Sequence, residues 1–356
     1  MSDKIKMNDT KYTYISLLNI ISAVAVVILH ANGSFWNYRA DISWAINNIV
    51  ECVFYFAVPI FFMITGVNLI DYLDKYDTKT FLKKRFKKNF IPFLAWSLLA
   101  LSLSLVKNPT LLKTLTFESV FNGIFNTEYM YIYWFFIPLS CIYLSIPLLA
   151  CVEKNKRINI FKFISVVAFF FNILIPFLVQ LVNFFGHINI KWTFKIPILG
   201  EYLFYVVVGY LLHKITLQKK TRILIYIFSI LGLLLHIVGT YYLSSKQGNI
   251  SSFFKGYTNL PCVIYSVGVF VFIKYLTTKI KIEKSEKIIL KLQKYTFPIY
   301  LMHMFVFKIT SFVLLKLNIS DNSQLYVILL TLFTIPICIL VTFIMRKIPV
   351  IRNIVP

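Results

Sequence analysis

The chain contains ten apolar stretches, each close to the roughly 20 residues that an α-helix needs to cross the hydrocarbon core of a membrane. Hydrophobic residues make up 58% of the 356 residues and charged residues only 14%, whereas soluble domains carry about 25% charged residues. A water-soluble core could not cover this much apolar surface. We therefore predict an all-α, polytopic transmembrane helical bundle that forms a single domain over residues 1–356. The ten predicted spans are residues 13–31, 48–70, 89–106, 130–151, 160–184, 197–213, 222–244, 258–276, 296–316 and 324–345.

The basic residues are unevenly divided between the two sets of loops that such a bundle would have. The loops on one side, together with both termini, carry 26 of the 37 Lys and Arg residues, and the loops on the other side carry 7. Because cytoplasmic loops are enriched in Lys and Arg, this division predicts that both termini are cytoplasmic. It also accounts for the net charge of +23 without a nucleic-acid partner. A composition rich in Ile, Lys, Asn and Phe favours a multi-pass protein of a bacterial plasma membrane.

The five cysteines lie within or at the ends of the apolar stretches. They form no CxxC pair, and the sequence has no other metal-ligand spacing. We therefore expect neither a disulfide framework nor a metal site, and no permanently bound cofactor.

The first apolar stretch runs directly into a histidine in "VVILHANGSFW", residues 26–36. At a rise of 1.5 Å per residue, His30 lies about 27 Å from Tyr12, close to the full thickness of a bilayer core. It is therefore expected near the outer surface. Asn19 and Ser22 precede it by eleven and eight residues. The spacing predicts a polar stripe of Asn19, Ser22 and His30 facing the interior of the bundle.

Two interpretations of His30 remain open from the residues alone. In the simpler one, His30 is an interfacial side chain and Trp36 is an aromatic anchor at the membrane surface. In the functional one, the imidazole takes up a proton as a general base, a role that suits its titration near neutral pH. Ionisable groups near or within membrane spans tend to mark functional sites, which favours the second interpretation.

Two carboxylates are expected on the same side of the membrane as His30. Glu51 is at the start of the second predicted span and Glu201 is in the outer half of the sixth. A carboxylate beside the imidazole would fix its tautomer and stabilise the imidazolium. Alternatively, each carboxylate is an interfacial residue or pairs with Lys191, Lys195 or Arg39.

A dense basic run, "KTFLKKRFKKNFIPFLAW", precedes and enters the third predicted span. Positive-inside topology and contact with anionic membrane lipid would explain it. The alternative is a docking site for a phosphate-rich cytoplasmic ligand. Arg85 would then be the specific anchor, because a guanidinium binds phosphate oxygens through two parallel hydrogen bonds.

Several stretches, in this order, resemble the acyltransferase-3 family of bacterial membrane acyltransferases, which modify cell-surface glycans. The resemblance covers most of the chain. The stretches that carry it are "YISLLNIISAVAVVILHANG", "AVPIFFMITGVNL", "KKRFKKNFIPFLAW", "YWFFIPLSCIYLSIPLL" and "TFPIYLMHMFVF".

The resemblance implies an O-acyltransferase that moves an acyl group, usually acetyl from acetyl-CoA, to a hydroxyl of a lipid-linked or surface polysaccharide. Acyl-CoA and the glycan would then be its partners. The implied roles are general base for His30 with help from Glu201, acyl-CoA binding for Arg85, Lys88 and Asn19, and acceptor binding for Asn32, Trp36 and His303.

The roles of Asn19 and His303 stay open. The family has an arginine where this chain has Asn19, and an amide can form hydrogen bonds but cannot neutralise an anion. Either Arg85 or a neighbouring lysine supplies that charge, or the contact differs. His303, in the predicted ninth span, is either a substrate contact or a packed residue with a structural hydrogen bond.

Two other classes of function also fit a polytopic body with interior polar groups. A transporter or exporter of a glycan intermediate would move glycan without changing its acyl content. A non-catalytic membrane partner that binds a cell-wall precursor would keep its phenotype after mutation of His30 or Arg85.

Overall fold

The computed structural model describes the backbone of residues 2–279 and 283–356 and the side chains of residues 13–278 and 285–356. Helices dominate this part of the chain, and it contains no β-strand. The first eight helices are α1 (Ser2–Ala31), α2 (Ile42–Phe54), α3 (Ala57–Leu69), α4 (Thr78–Arg85), α5 (Ile91–Lys107), α6 (Phe117–Phe125), α7 (Phe136–Ala150) and α8 (Lys154–Ala168). The others are α9 (Ile175–Gly186), α10 (Leu203–Lys214), α11 (Lys219–Gln247), α12 (Leu260–Lys279), α13 (Glu283–Gln293), α14 (Thr296–Lys316) and α15 (Gln324–Met345).

Within the described residues, nine helical segments are long and apolar enough to cross a membrane. The predicted all-α polytopic fold is therefore confirmed. Some segments join two helices, because α8 continues into α9 through a short π-helical turn. The nine segments are Thr13–Ala31, Ile42–Asp74, Thr78–Lys107, Tyr131–Ala150, Lys154–Gly186, Lys219–Gln247, Leu260–Thr278, Thr296–Lys316 and Gln324–Met345.

The prediction that residues 197–213 form a full helical span is wrong. Only α10 is helical there, and its 12 residues extend about 18 Å at the α-helical rise, which is too short for a bilayer core. Leu199 and Glu201 have left-handed backbone conformations, with φ of 59° and 49°. These conformations interrupt an α-helix, so the helix begins only after this turn.

A non-helical segment precedes α10 and runs back along α9 and α8. The Asn183 amide bonds both the N–H and the carbonyl of Ile190, at 2.8 and 2.9 Å. Deeper in the bundle, the Asn172 amide bonds the N–H and the carbonyl of Ile196, both at 2.9 Å. These side chains satisfy backbone groups that would otherwise be costly away from water.

The core lies on two sides of α1, which packs against α3, α12, α14 and α15. One apolar cluster joins α1 to α3, α10 and α12, and a second joins it to α5, α7, α14 and α15. The central position of α1 explains why this helix can bring polar side chains to an interior site.

Two glycines let α3 and α10 touch backbone to backbone. A Cβ atom at Gly66 would lie 1.8 Å from the Val206 carbonyl oxygen, and one at Gly209 would lie 2.3 Å from the Met63 carbonyl oxygen. Small residues commonly permit such close helix contacts in membranes. Tight packing of this kind anchors the short α10 against α3.

Ion pairs and hydrogen bonds connect the loops at each end of the bundle. At the first end, Asp71 forms ion pairs at 2.7 Å with Arg157 and with Lys214. We call this the basic end, because the run that contains Arg85 is also there. At the opposite end, here called the His30 end, Arg39 donates a 2.8 Å hydrogen bond to the side-chain oxygen of Asn322.

Candidate functional site

One cavity of about 480 Å³ passes through the interior of the bundle between its two ends. Arg85 and Lys88 line it at the basic end, and His30 and Trp36 line it at the His30 end. Aromatic and aliphatic side chains form most of the wall between them. The volume lies within the usual range of small-molecule sites, about 300–1,000 Å³.

His30 is half-buried at the end of α1, with its ring in the cavity wall. The Tyr131 hydroxyl lies 3.2 Å from His30 Nδ1. This contact fixes the orientation of the imidazole. When His30 Nδ1 donates to Tyr131, the Nε2 atom keeps the lone pair that a general base needs.

His303 lies directly behind His30, with the two ring centres 5.2 Å apart. It is fully buried and does not line the cavity. Its Nδ1 atom donates to the backbone carbonyls of Ile299 and Tyr300, at 3.0 and 2.9 Å. These hydrogen bonds within α14 match the structural alternative for His303, and its expected contact with the substrate stays a prediction.

At the basic end, Arg85 and Lys88 line the cavity together with Asn89. The same two basic residues also line a shallow surface groove formed with the C-terminal segment. That groove adds Lys84, Lys87, Arg346 and Arg352. A phosphate-bearing ligand on this groove would be next to the cavity entrance.

The predicted polar stripe on α1 faces the interior of the bundle, and two of its three members line the cavity. Asn19 and His30 both line the cavity, whereas Ser22 is fully buried and does not. Eleven residues turn an α-helix by a near-integral three turns, leaving an offset of about 20°, while eight residues leave about 80°. Asn19 therefore shares the face of His30, and Ser22 points into the packing.

Trp36 and Asn32, both expected to contact the acceptor, have different surroundings. Trp36 is 58% exposed and lines the cavity. Asn32 is fully buried, does not line the cavity, and donates a 2.9 Å hydrogen bond to the Asn47 carbonyl. Asn32 lies just past the end of α1, and its side chain contacts the Asn47 backbone and Glu51 instead of lining the cavity. Its expected role in acceptor binding stays a prediction.

Glu51 lines the cavity near His30 and forms a buried ion pair with Lys255. The two residues are 3% and 6% exposed. Asn32 donates a 3.4 Å hydrogen bond to Glu51 Oε2. Glu51 therefore pairs with Lys255 rather than with any of the three expected basic residues, and Arg39 pairs with Asp41 instead.

Glu201 is exposed and does not line the cavity of His30. It borders a separate, open groove beside Pro197 and Thr127. The left-handed turn before α10 directs the chain away from the central cavity. The expected pairing of Glu201 with His30 is therefore wrong.

Several aromatic side chains at the His30 end were not identified from the sequence. The Tyr55 and Tyr257 rings stack with centres 4.3 Å apart, and Trp134 stacks on Tyr257 at 5.6 Å. All three line the cavity. Burial, followed by the nearby Glu51 carboxylate, raises the pKa of Tyr257 well above its usual range, so its hydroxyl remains a hydrogen-bond donor at neutral pH.

The sequence gives only indirect signals for Tyr131 and Lys255, the residues that contact His30 and Glu51. Tyr131 precedes the Trp-Phe pair at the outer start of the fourth predicted span. Lys255 is a single basic residue in the aromatic outer segment "SSFFKGYTNL". A lone cation among aromatic residues is an available clue, but its partner Glu51 is 204 residues away.

Comparisons with known proteins give one result. The sequence model of a protein family described as "Acyltransferase domain" matches residues 12–343, nearly the whole chain. The matched range includes every residue of the cavity wall. Searches of curated proteins and of solved structures give no match.

Proposed function

The chain belongs to this acyltransferase family, and on that premise we propose that it moves an acyl group from cytoplasmic acyl-CoA to a glycan hydroxyl. The acyl group is expected to be acetyl, and the acceptor a lipid-linked or surface polysaccharide. The setting is a bacterial plasma membrane, with both termini and the basic end in the cytoplasm. The observation that carries the proposal is that a single cavity is lined by Arg85 and Lys88 at one end and by His30 at the other.

The donor would bind at the basic end. The groove that Arg85 and Lys88 share with Arg346 and Arg352 suits the phosphates of coenzyme A, because guanidinium and ammonium groups form strong charge-assisted hydrogen bonds with phosphate. The pantetheine arm would enter the cavity past Asn19. From there to His30 the helix rises about 16 Å. The amide of Asn19 fits the uncharged arm, so the arginine expected by resemblance is not needed at this depth.

The acceptor would approach at the His30 end, where Trp36 offers an exposed indole. His30 Nε2 takes the proton of the attacking hydroxyl, and the hydroxyl oxygen bonds to the thioester carbonyl carbon. Collapse of the tetrahedral intermediate breaks the carbon–sulfur bond and forms the ester. The departing thiolate then takes the proton from His30, which leaves free coenzyme A and a regenerated imidazole.

Acyl content distinguishes this function from its competitors. We expect surface polysaccharide from a deletion strain to lack the mass increment of one acetyl group per modified residue, as measured by mass spectrometry. Complementation with the wild-type chain should restore it. Unchanged acylation with glycan retained inside the cell would instead support the exporter. Family membership favours acyl transfer over export and over a non-catalytic partner.

Arg85→Ala should weaken donor binding specifically. We expect the KM for acetyl-CoA to rise about 10-fold or more, since hydrogen bonds to charged groups contribute about 1.5–3 kcal/mol. Arg85→Lys should recover only part of this, because an ammonium lacks the planar fork. Lys79→Ala is the matched control, as Lys79 is exposed in the same basic run and does not line the cavity. Equal KM values for the Arg85→Ala and Lys79→Ala variants would contradict this role.

Tyr131→Phe should slow the chemical step while leaving donor binding intact. Losing the hydroxyl beside His30 Nδ1 frees the imidazole to change orientation and tautomer. We expect kcat to fall about 10-fold, in line with about 1.5 kcal/mol for a hydrogen bond, with the acetyl-CoA KM within twofold of wild type. Steady-state kinetics with radiolabelled acetyl-CoA measures both. A raised KM with normal kcat would place Tyr131 in donor binding instead.

A further inference from the structure

The buried ion pair of Glu51 and Lys255 has no part in the transfer chemistry described above, yet its carboxylate member, Glu51, lines the cavity. Both side chains are at most 6% exposed. Burying two charges is expensive, and well-packed apolar residues of similar size are often as stable. A buried, ion-paired carboxylate that lines a cavity between apolar helices therefore points to a ligand.

Lys255 is held in place from several directions. Its ammonium lies 3.9 Å from the ring centre of Tyr55, 4.8 Å from that of Trp36 and 5.0 Å from that of Phe35. Aromatic faces attract a cation in this geometry. The ammonium is thereby fixed against Glu51 Oε1, and the pair has no net charge.

Glu51 keeps unused hydrogen-bonding capacity. Among the described residues its donors are Lys255 at Oε1 and Asn32 at Oε2, the latter at a long 3.4 Å. An ionised carboxylate has about four lone-pair sites. Glu51 lines the same cavity as His30. Its remaining lone-pair sites can therefore accept hydrogen bonds from a hydroxyl group in that cavity.

We propose that Glu51, held by Lys255, binds the acceptor by accepting hydrogen bonds from its hydroxyl groups, and that it selects an uncharged pyranose. This inference rests on the proposed function. The stacked rings of Tyr257 and Trp134 and the exposed indole of Trp36 offer apolar surface for the sugar's C–H groups. A sugar carboxylate would be repelled by Glu51, and a sugar ammonium would compete with Lys255.

The test uses a variant that removes both charges. Glu51→Gln alone would leave Lys255 buried without its counter-ion and could unfold the protein. The double variant Glu51→Gln/Lys255→Met keeps similar volumes without a buried charge, so it should fold. Asp74→Asn/Lys154→Met is the matched control, because these two residues form an exposed ion pair at the basic end and their replacement leaves no buried charge.

The assay measures transfer from radiolabelled acetyl-CoA to a panel of neutral methyl pyranosides and to the corresponding uronic acids, per folded protein in reconstituted vesicles. For wild type we expect kcat/KM at least 10-fold higher with the neutral sugars. In the double variant we expect the acceptor KM to rise about 10- to 100-fold, as for a lost hydrogen bond to a charged group. The acetyl-CoA KM should stay within twofold, and the Asp74→Asn/Lys154→Met variant should change neither KM.

A double variant that folds and keeps the wild-type acceptor KM would overturn the proposal and make the pair purely structural. Equal use of neutral and anionic sugars by wild type would overturn the selectivity. Both results leave the proposed function standing, provided that transfer still requires His30. No transfer by the wild-type protein to any sugar would contradict the proposed function and this inference together.

Discussion

His30→Ala should reduce acyl transfer about 10²- to 10⁴-fold, the range of general acid–base catalysis, without loss of folded protein. The imidazole lies in the cavity wall at the end of α1, and its Nδ1 atom is 3.2 Å from the Tyr131 hydroxyl. Among the residues whose side chains are described, no other histidine lines this cavity. Removing it therefore removes the proton acceptor for the attacking hydroxyl. Acetylated glycan, measured by mass spectrometry at matched expression, gives the readout.

Two further variants separate chemistry from structure at this site. His30→Gln keeps an amide near Tyr131 but has no basic nitrogen, so it should be as inactive as His30→Ala. His236→Ala is the control, because His236 is a histidine of another membrane helix that is fully buried and does not line the cavity. Near-normal transfer by His30→Ala would remove His30 from the mechanism.

Gly66→Ala should destabilise the protein severely. The added Cβ would lie 1.8 Å from the Val206 carbonyl oxygen, an atom of the facing helix backbone that cannot rotate away. Overpacking commonly costs about 1–3 kcal/mol, and a backbone clash between α3 and α10 should reach the top of that range. We expect a marked loss of monodisperse protein in detergent and a lower unfolding temperature.

Gly33→Ala is the control for this prediction. A Cβ atom at Gly33 would have no heavy atom within 4 Å, so the substitution should leave the yield and the unfolding temperature close to wild type. Equal stability of the Gly66→Ala and Gly33→Ala variants would show that α3 and α10 do not approach as closely as described.

The helical bundle was predictable because a bilayer imposes its thickness on every crossing. Apolar runs near 20 residues identified nine of the helical segments. The prediction of a full helix for the sixth span was wrong, because hydropathy does not show the left-handed turn at Leu199 and Glu201. Nor does it show that Asn172 satisfies the backbone of the preceding non-helical segment.

The candidate site was predictable where helix geometry alone decides. Asn19 shares the face of His30, and Arg85 and Lys88 mark the basic entrance. The burial of Asn32 was not predictable, because its hydrogen-bond partners Asn47 and Glu51 lie 15 and 19 residues away along the chain. The partners Tyr131 and Lys255 lie 101 and 204 residues from the side chains they contact, a distance that no local pattern reports.

The central claim is that a single passage joins donor and acceptor sites at opposite ends of the bundle. Proteoliposomes test it directly, with radiolabelled acetyl-CoA supplied only outside and a methyl pyranoside trapped inside. We expect the trapped sugar to become acetylated by wild-type protein whose basic end faces outward, and not by the His30→Ala variant. Acetylation confined to sugar on the same side as acetyl-CoA would contradict the account.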